Sequence, residues 1–208
     1  MRSLKFGLAT AAMAGLLSLG AVAQSQSGTT DQGSSNMQSS SASSSSSGQL
    51  SQADKTFVKK AAEGGLAEVQ LGQLAAQKGN SDRVKQFGQR MVDDHTKAND
   101  QLKSVAQQKG VQLPTDLDAK DKALKDKLSN LSGDQFDHMY MQHMVQDHKK
   151  DVAEFQKEAN SGKDQDVKNF AQQTLPTLQD HLKMAQQTQQ AEMKEGNKGS
   201  TTATNQPQ

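Results

Sequence analysis

The sequence predicts an all-α fold, a four-helix bundle of two helical hairpins joined by a crossover that contains a short helix. Three observations lead there. Apolar residues recur at helical spacing in four long segments, each opened by a capping residue or closed by a glycine. A phrase opening the second segment, Val84-Lys85-Gln86-Phe87-Gly88-Gln89, returns in the fourth as Val167-Lys168-Asn169-Phe170-Ala171-Gln172. Asp-His pairs stand in three of the segments, at Asp94-His95, Asp147-His148 and Asp180-His181.

The N-terminus reads as targeting rather than structure. Arg2 and Lys5 precede an apolar stretch from Leu8 to Leu19, and Ala21-Val22-Ala23 supplies small residues ahead of Gln24. This is the pattern of a secretory signal peptide over residues 1–23. An uncleaved anchor is the alternative, but the apolar run is shorter than the roughly 20 residues a span needs. Residues 24–49 are dominated by serine, with Gly, Gln and Thr, and are expected to be a disordered linker. A surface-binding role for those serines is the other reading. The folded domain is expected over 50–194, with a disordered tail over 195–208.

The chain has no cysteine, so neither a disulfide nor a lipidated cysteine is available and the fold rests on packing. Removing Arg2 and Lys5 leaves 24 − 2 = 22 basic residues against 23 acidic ones, a net charge of −1. That balance disfavours a nucleic-acid partner, which calls for a basic patch.

The first helix opens at Ser51, with Asp54 three residues on as a capping box, and carries Phe57, Val58, Ala61, Ala62, Val69 and Ala76 to a stop near Gly79-Asn80. The second starts at Ser81 or Asp82, buries Val84, Phe87, Met91, Leu102 and Val105, and stops at Gly110 before Pro114. A short amphipathic piece around Leu117, Ala123, Leu124 and Leu128 separates the hairpins. Ser132 and Gln135 form the next expected capping box, opening a third helix through Tyr140, Met144, Val152 and Phe155 to Asn160-Ser161-Gly162. Asp164 caps the fourth, with Val167, Phe170, Leu178, Leu182 and Ala185 on its apolar face. Pro176 removes a hydrogen bond and clashes with the carbonyl of Gln172, so this helix is expected to kink or restart there, either aiming His181 or beginning a new segment.

The two phrases are 167 − 84 = 83 residues apart, and the same offset carries Phe57 onto Tyr140 and Glu68 onto Asp151. Duplicated hairpins joined by a crossover make the ferritin-like arrangement rather than an up-and-down bundle. Plain amphipathic periodicity is the competing explanation of so short a repeat.

Turning about 100° per residue places His95 among Val84, Met91 and Leu102, His148 among Met144, Val152 and Phe155, and His181 beside Leu178 and Ala185. All three point inward, whereas His138 and His143 fall outside the apolar arc and are expected to be exposed. A buried imidazole has to be hydrogen-bonded or ligated, because an unpaired polar group costs on the order of a few kcal/mol. A lone inward histidine is more often a packed core residue; three on three helices, with Glu68 on the remaining helix and Asp151 one turn after His148, make a metal site the candidate. The expected ligands are His95, His148, His181, Glu68 and Asp151, a set suited by type to iron, copper, zinc or manganese.

A di-iron carboxylate site needs Glu-x-x-His on two helices, and Val92 and Leu178 stand three residues before His95 and His181 instead. Adjacent residues diverge by about 100°, so Asp94, Asp147 and Asp180 suit a role as partners of the ligands or as surface groups. Met91, Met144 and Met184 share the faces of the histidines, which fits copper by ligand softness, although flexible core filling is the favoured reading. Tyr140 reads as a core aromatic.

The phrases Gly64-Gly65-Leu66-Ala67-Glu68, Arg90-Met91-Val92-Asp93-Asp94-His95-Thr96-Lys97-Ala98-Asn99, Phe136-Asp137-His138-Met139-Tyr140, Asp147-His148 and Leu175-Pro176-Thr177-Leu178-Gln179-Asp180-His181 together resemble the DUF4142 family. The resemblance runs from about Ser51 to Gln187. It implies a ferritin-like bundle in an exported bacterial protein, often labelled an outer membrane protein, and brings no established activity. The label finds no support in the residues: the domain lacks both a spanning helix and the alternating strands of a barrel, and a periplasmic or secreted protein with peripheral envelope association is the better expectation. A metal-binding or storage protein, a metal-free structural or stress-protective envelope protein, and a ferritin-like redox enzyme are the function classes in play. Histidines converging to within about 5 Å favour the first, since ligand bonds run only about 2.0–2.3 Å.

Overall fold

The computed structural model describes residues 49–202, with side chains through 195. The signal-peptide segment, nearly all of the serine-rich linker and residues 203–208 of the expected tail lie outside the described residues. Among the described residues there are five helices and no strand: α1 Gln52–Lys78, α2 Asp82–Gln108, α3 Ala119–Ser129, α4 Gly133–Ser161 and α5 Gln165–Thr202.

Local signals account for most of the boundaries. Ser51 Oγ accepts from the Asp54 amide at 3.1 Å and Ser81 Oγ from the Val84 amide at 3.2 Å, each satisfying a donor that the first turn leaves free. Asp118 caps α3 through the Asp121 amide at 2.7 Å. Asp164 caps α5, accepting from Asp166 and Val167 at 3.0 and 3.2 Å. Ser132 departs from expectation and makes no side-chain cap. Gly133 follows it at φ +58°, a left-handed turn that leads the chain into α4 differently from the other helix starts.

α5 also departs from the expected restart, running through Pro176 as one helix that extends to Thr202. Pro176 and Gln172 are both exposed, so the ring lies on the outer side of the helix rather than in its packed face.

α1 pairs with α2 and α4 with α5, and the hairpins meet through α1 against α4 and α2 against α5, while α3 touches α1 and α4. The half-buried Lys109 just past α2 reaches Asp164 and Asp166 at the start of α5, at 2.8 and 2.6 Å. Asp134 and Asp137 at the start of α4 reach the α1–α2 turn. The crossover therefore returns along the length of the bundle, as the duplicated-hairpin reading expects.

The 83-residue offset reappears in hydrogen bonding. Asp54, buried in α1, accepts from the amides of Lys163 and Asp164 at 3.1 and 2.9 Å. Asp137, buried in α4, accepts from the amides of Asn80 and Ser81, both at 2.8 Å. The three pairs of counterparts, Asp54 and Asp137, Asn80 and Lys163, Ser81 and Asp164, are each 83 positions apart. Asp54 thus supplies only half of the expected capping box, because its carboxylate holds the turn of the other hairpin. Each hairpin's first helix secures the turn of its partner by a charge-assisted pair of bonds.

The core falls into two apolar clusters. One joins Phe57, Val58, Leu102, Phe155, Val167, Phe170 and Leu178; the other joins Leu71, Val84, Phe87, Met91, Phe136, Tyr140, Met144 and Ala185. Within the first hairpin, α1 and α2 approach closely at Gly72 and Gly88, where a Cβ on either would stand 2.7 Å from the other's carbonyl oxygen.

Two predictions follow from this packing. Gly88→Ala adds a methyl against backbone that no rotamer change can relieve, so an overpacking cost of about 1–3 kcal/mol outweighs the helix-propensity gain of about 1 kcal/mol. Gly64→Ala meets nothing within 4 Å and keeps that gain, so thermal melts are expected to show a lower Tm for the first variant and a higher one for the second.

The other prediction concerns Glu158, buried beside Asp54 with Oε1 unpartnered. Burial first, then the charge of Asp54, pushes its carboxyl up to about 7 from an ordinary 4.5. The folded state therefore holds a proton that the unfolded chain releases earlier. This contribution to stability is complete below 4.5 and lost as pH rises through 7. Glu158→Gln is expected to be more stable than the parent at about pH 8, with the difference gone near the ordinary carboxylate range; paired melts across that window check it.

Candidate metal centre

Between the two apolar clusters every long helix of the bundle contributes a buried polar residue at the same level. α1 runs from Ala62 in one cluster to Leu71 in the other with Glu68 between; α2 from Met91 to Leu102 with His95 between. α4 passes from Val145 to Phe155 through His148, and α5 from Leu178 to Ala185 through His181. The inward register expected for the three histidines is what the structure shows, and all three are buried.

Their rings converge. Centroids lie 5.8 Å apart for His95 and His148, and 5.3 Å apart for His95–His181 and His148–His181. One nitrogen from each ring lies within 4.8 Å of the other two. His148 Nδ1 donates to the Met144 carbonyl at 3.0 Å. His181 Nε2 donates to Asp94 Oδ2 at 2.9 Å, and Asp94 is in turn held by Arg90.

These partners decide the tautomers. A carbonyl and a carboxylate only accept, so in neutral rings the protons sit on His148 Nδ1 and His181 Nε2. His148 Nε2 and His181 Nδ1 then carry lone pairs, and they face each other at 3.3 Å. His95 Nε2, also buried, has no hydrogen-bond partner. Two acceptors in direct contact require a cation or a proton between them. Burial is the first cause that holds His95 well below the ordinary imidazole range and His148 down to about 4. His181 is likewise lowered by burial, against the opposing pull of Asp94. Two nitrogens on one ion at about 2.0–2.1 Å in tetrahedral geometry stand about 3.3–3.4 Å apart, which the His148–His181 spacing matches. Asp94 plays the part of a carboxylate that fixes tautomer and ring orientation.

The five expected ligands do not converge on one point. Glu68 Oε1 lies 3.6 Å from His148 Nδ1, the edge of the ring turned away from His181. Glu68 and Asp151 instead gather with Asp147, one oxygen from each within 4.8 Å of the others. Asp147 was expected only as a partner or surface group; its spacing of four from Asp151, which puts both on one helical face, is the sequence signal for it. Burial, and then the charge of Asp147, raises both Glu68 and Asp151, the latter to about 7.

A cleft of about 220 Å3 lies over this level, lined by His95, Asn99, Asp147, Asp151, Gly64 and Gly65 among others. A Cβ on Gly65 would stand 2.0 Å from Asn99 Oδ1, so a larger residue there has to displace the Asn99 amide. His138 is exposed as expected, but His143 is half-buried rather than exposed, with α3 residues Lys120 and Asp121 close enough to affect its charge. Met91 and Met144 are buried in an apolar cluster with Met184 packed against it, the core-filling arrangement. Tyr140 stacks on Phe136 at 6.0 Å and meets Phe87 edge-on at 6.1 Å.

The family model described as Domain of unknown function (DUF4142) matches residues 39–188. The chain belongs to the DUF4142 family. No curated protein matches it. A solved structure similar to this DUF4142 chain is a crystal structure of a DUF305 fragment from Deinococcus radiodurans, with a TM-score of 0.61 at 12% identity over 69% of this chain and 99% of that one. At that identity the likeness concerns the helical fold alone. No described helix is long and apolar enough to cross a membrane.

Proposed function

We propose that this DUF4142 protein is exported and binds one transition-metal ion through His95, His148 and His181, for binding or storage rather than catalysis. The observation that carries the reading is the meeting of bare nitrogens: His148 Nε2 and His181 Nδ1 at 3.3 Å, with a His95 nitrogen within 4.8 Å of the cluster and the buried His95 Nε2 unpartnered. An all-imidazole set fits zinc, copper or iron better than manganese. The neutral rings that burial enforces are the form that ligates. Three protein ligands leave a further coordination position for water. Export rests on the basic, apolar and small-residue run of residues 2–23, and envelope association would be peripheral.

The first measurement is elemental analysis of untagged protein isolated from the periplasm, beside the His95, His148 and His181 to Ala triple variant. Near-stoichiometric metal, lost in the variant, is the expected result. Protein that carries none and takes up no added zinc, copper, iron or manganese sinks the proposal and leaves a metal-free structural role, with a proton on His181 joining the rings.

A finer expectation concerns Asp94. Asp94→Asn keeps the side-chain shape but loses the charge that orients His181, so metal affinity is expected to fall about 10–100-fold. Competition with a chelator of known affinity measures it; an unchanged constant would mean that Asp94 is only a surface partner of Arg90.

A further inference from the structure

Asp147 and Asp151 are half-buried acids one turn apart on α4, and by themselves would be an ordinary solvated pair. What sets them apart is Glu68. It comes from α1, is 1% exposed, and neither of its carboxylate oxygens has a hydrogen-bond partner. Leaving a carboxylate buried in this way costs several kcal/mol unless a proton or a counter-charge is supplied. His148 does not supply one, because its Nδ1 proton is directed to the Met144 carbonyl. Glu68 instead presents an oxygen to Asp147 and Asp151.

We propose that Glu68, Asp147 and Asp151 form a second cation site, built of oxygen ligands alone and suited to a hard divalent ion of the manganese, magnesium or calcium type. Carboxylate oxygen with water is the ligand set those ions favour. An ion at about 2.1–2.5 Å from each ligand joins oxygens up to about 5 Å apart, and the three oxygens here lie within 4.8 Å of one another. The cleft that opens onto Asp147 and Asp151 holds about 220 Å3, room for several waters at about 30 Å3 each to complete the coordination. Asp118, Asp121 and Glu154 line the same cleft and offset Lys60, Lys120 and Lys150 there. The two sites lie on opposite edges of the His148 ring, nitrogen ligands on one side and oxygen ligands on the other. This second site does not rest on the histidine reading.

The test is a Mn2+ titration followed by electron paramagnetic resonance, on mature protein first given one equivalent of Zn2+, beside an Asp147→Asn, Asp151→Asn double variant. The unaltered protein is expected to bind one Mn2+ with a Kd below about 1 mM, the range of extracellular cation modules. The double variant is expected to bind at least tenfold more weakly while retaining zinc as before. No saturable Mn2+ binding by the unaltered protein overturns the proposal whatever the variant does, and so does equal binding by both proteins. Zinc that is not retained while Mn2+ binding and its loss in the variant persist overturns the histidine site alone.

Discussion

The bundle is organised around a polar layer that each long helix crosses at the same level. Glu68, His95, His148 and His181 are buried where a purely apolar core would be expected, and they separate two hydrophobic clusters. Removing such groups from water without full pairing is unfavourable by a few kcal/mol each. The apolar clusters on either side have to carry that cost. The layer sets converging imidazole lone pairs in the interior, where burial keeps the rings neutral.

Alignment of that layer depends on axial register, and two buried aspartates set it. Asp54 holds the turn at Lys163–Asp164 and Asp137 holds the turn at Asn80–Ser81. A slip of one hairpin along the other by a single turn, about 5.4 Å, would break both pairs of bonds. It would also carry His95 away from His148 and His181. The site is thus positioned by contacts near the two ends of the bundle, far from the groups that would hold the ion.

Periodicity made much of this legible. Helix starts at Ser51 and Ser81, the inward direction of His95, His148 and His181, and the 83-residue repeat all follow from spacing and capping chemistry. Spacing gives the angle of a side chain around its own helix; it does not give the height at which another helix passes. That is why Glu68 and Asp151 could be expected near the histidines yet not assigned to a separate group with Asp147. Asp54 misled for a related reason: its place three residues after Ser51 matches a local box, and the amides it serves are more than a hundred residues away. Pro176 was read by the cost of a lost hydrogen bond, a cost borne here on the exposed side of a helix whose other face is packed.

The duplication explains the frame and not the site. Offset by 83, His148 corresponds to Gly65, Asp147 to Gly64, His95 to Leu178 and His181 to Ala98, so only Glu68 and Asp151 retain like chemistry. Where α4 carries Asp147-His148, α1 carries two glycines, and Gly65 leaves room for Asn99 that any Cβ would fill. A symmetric pair of hairpins would place equivalent groups on both sides of the axis and fill the space between them. Replacing one set by glycine opens the cleft on that side and leaves the nitrogen and oxygen groups on the opposite edges of one imidazole. The asymmetry converts a duplicated scaffold into a layer with a buried histidine cluster and, beside it, a cleft bordered by His95, Asp147 and Asp151.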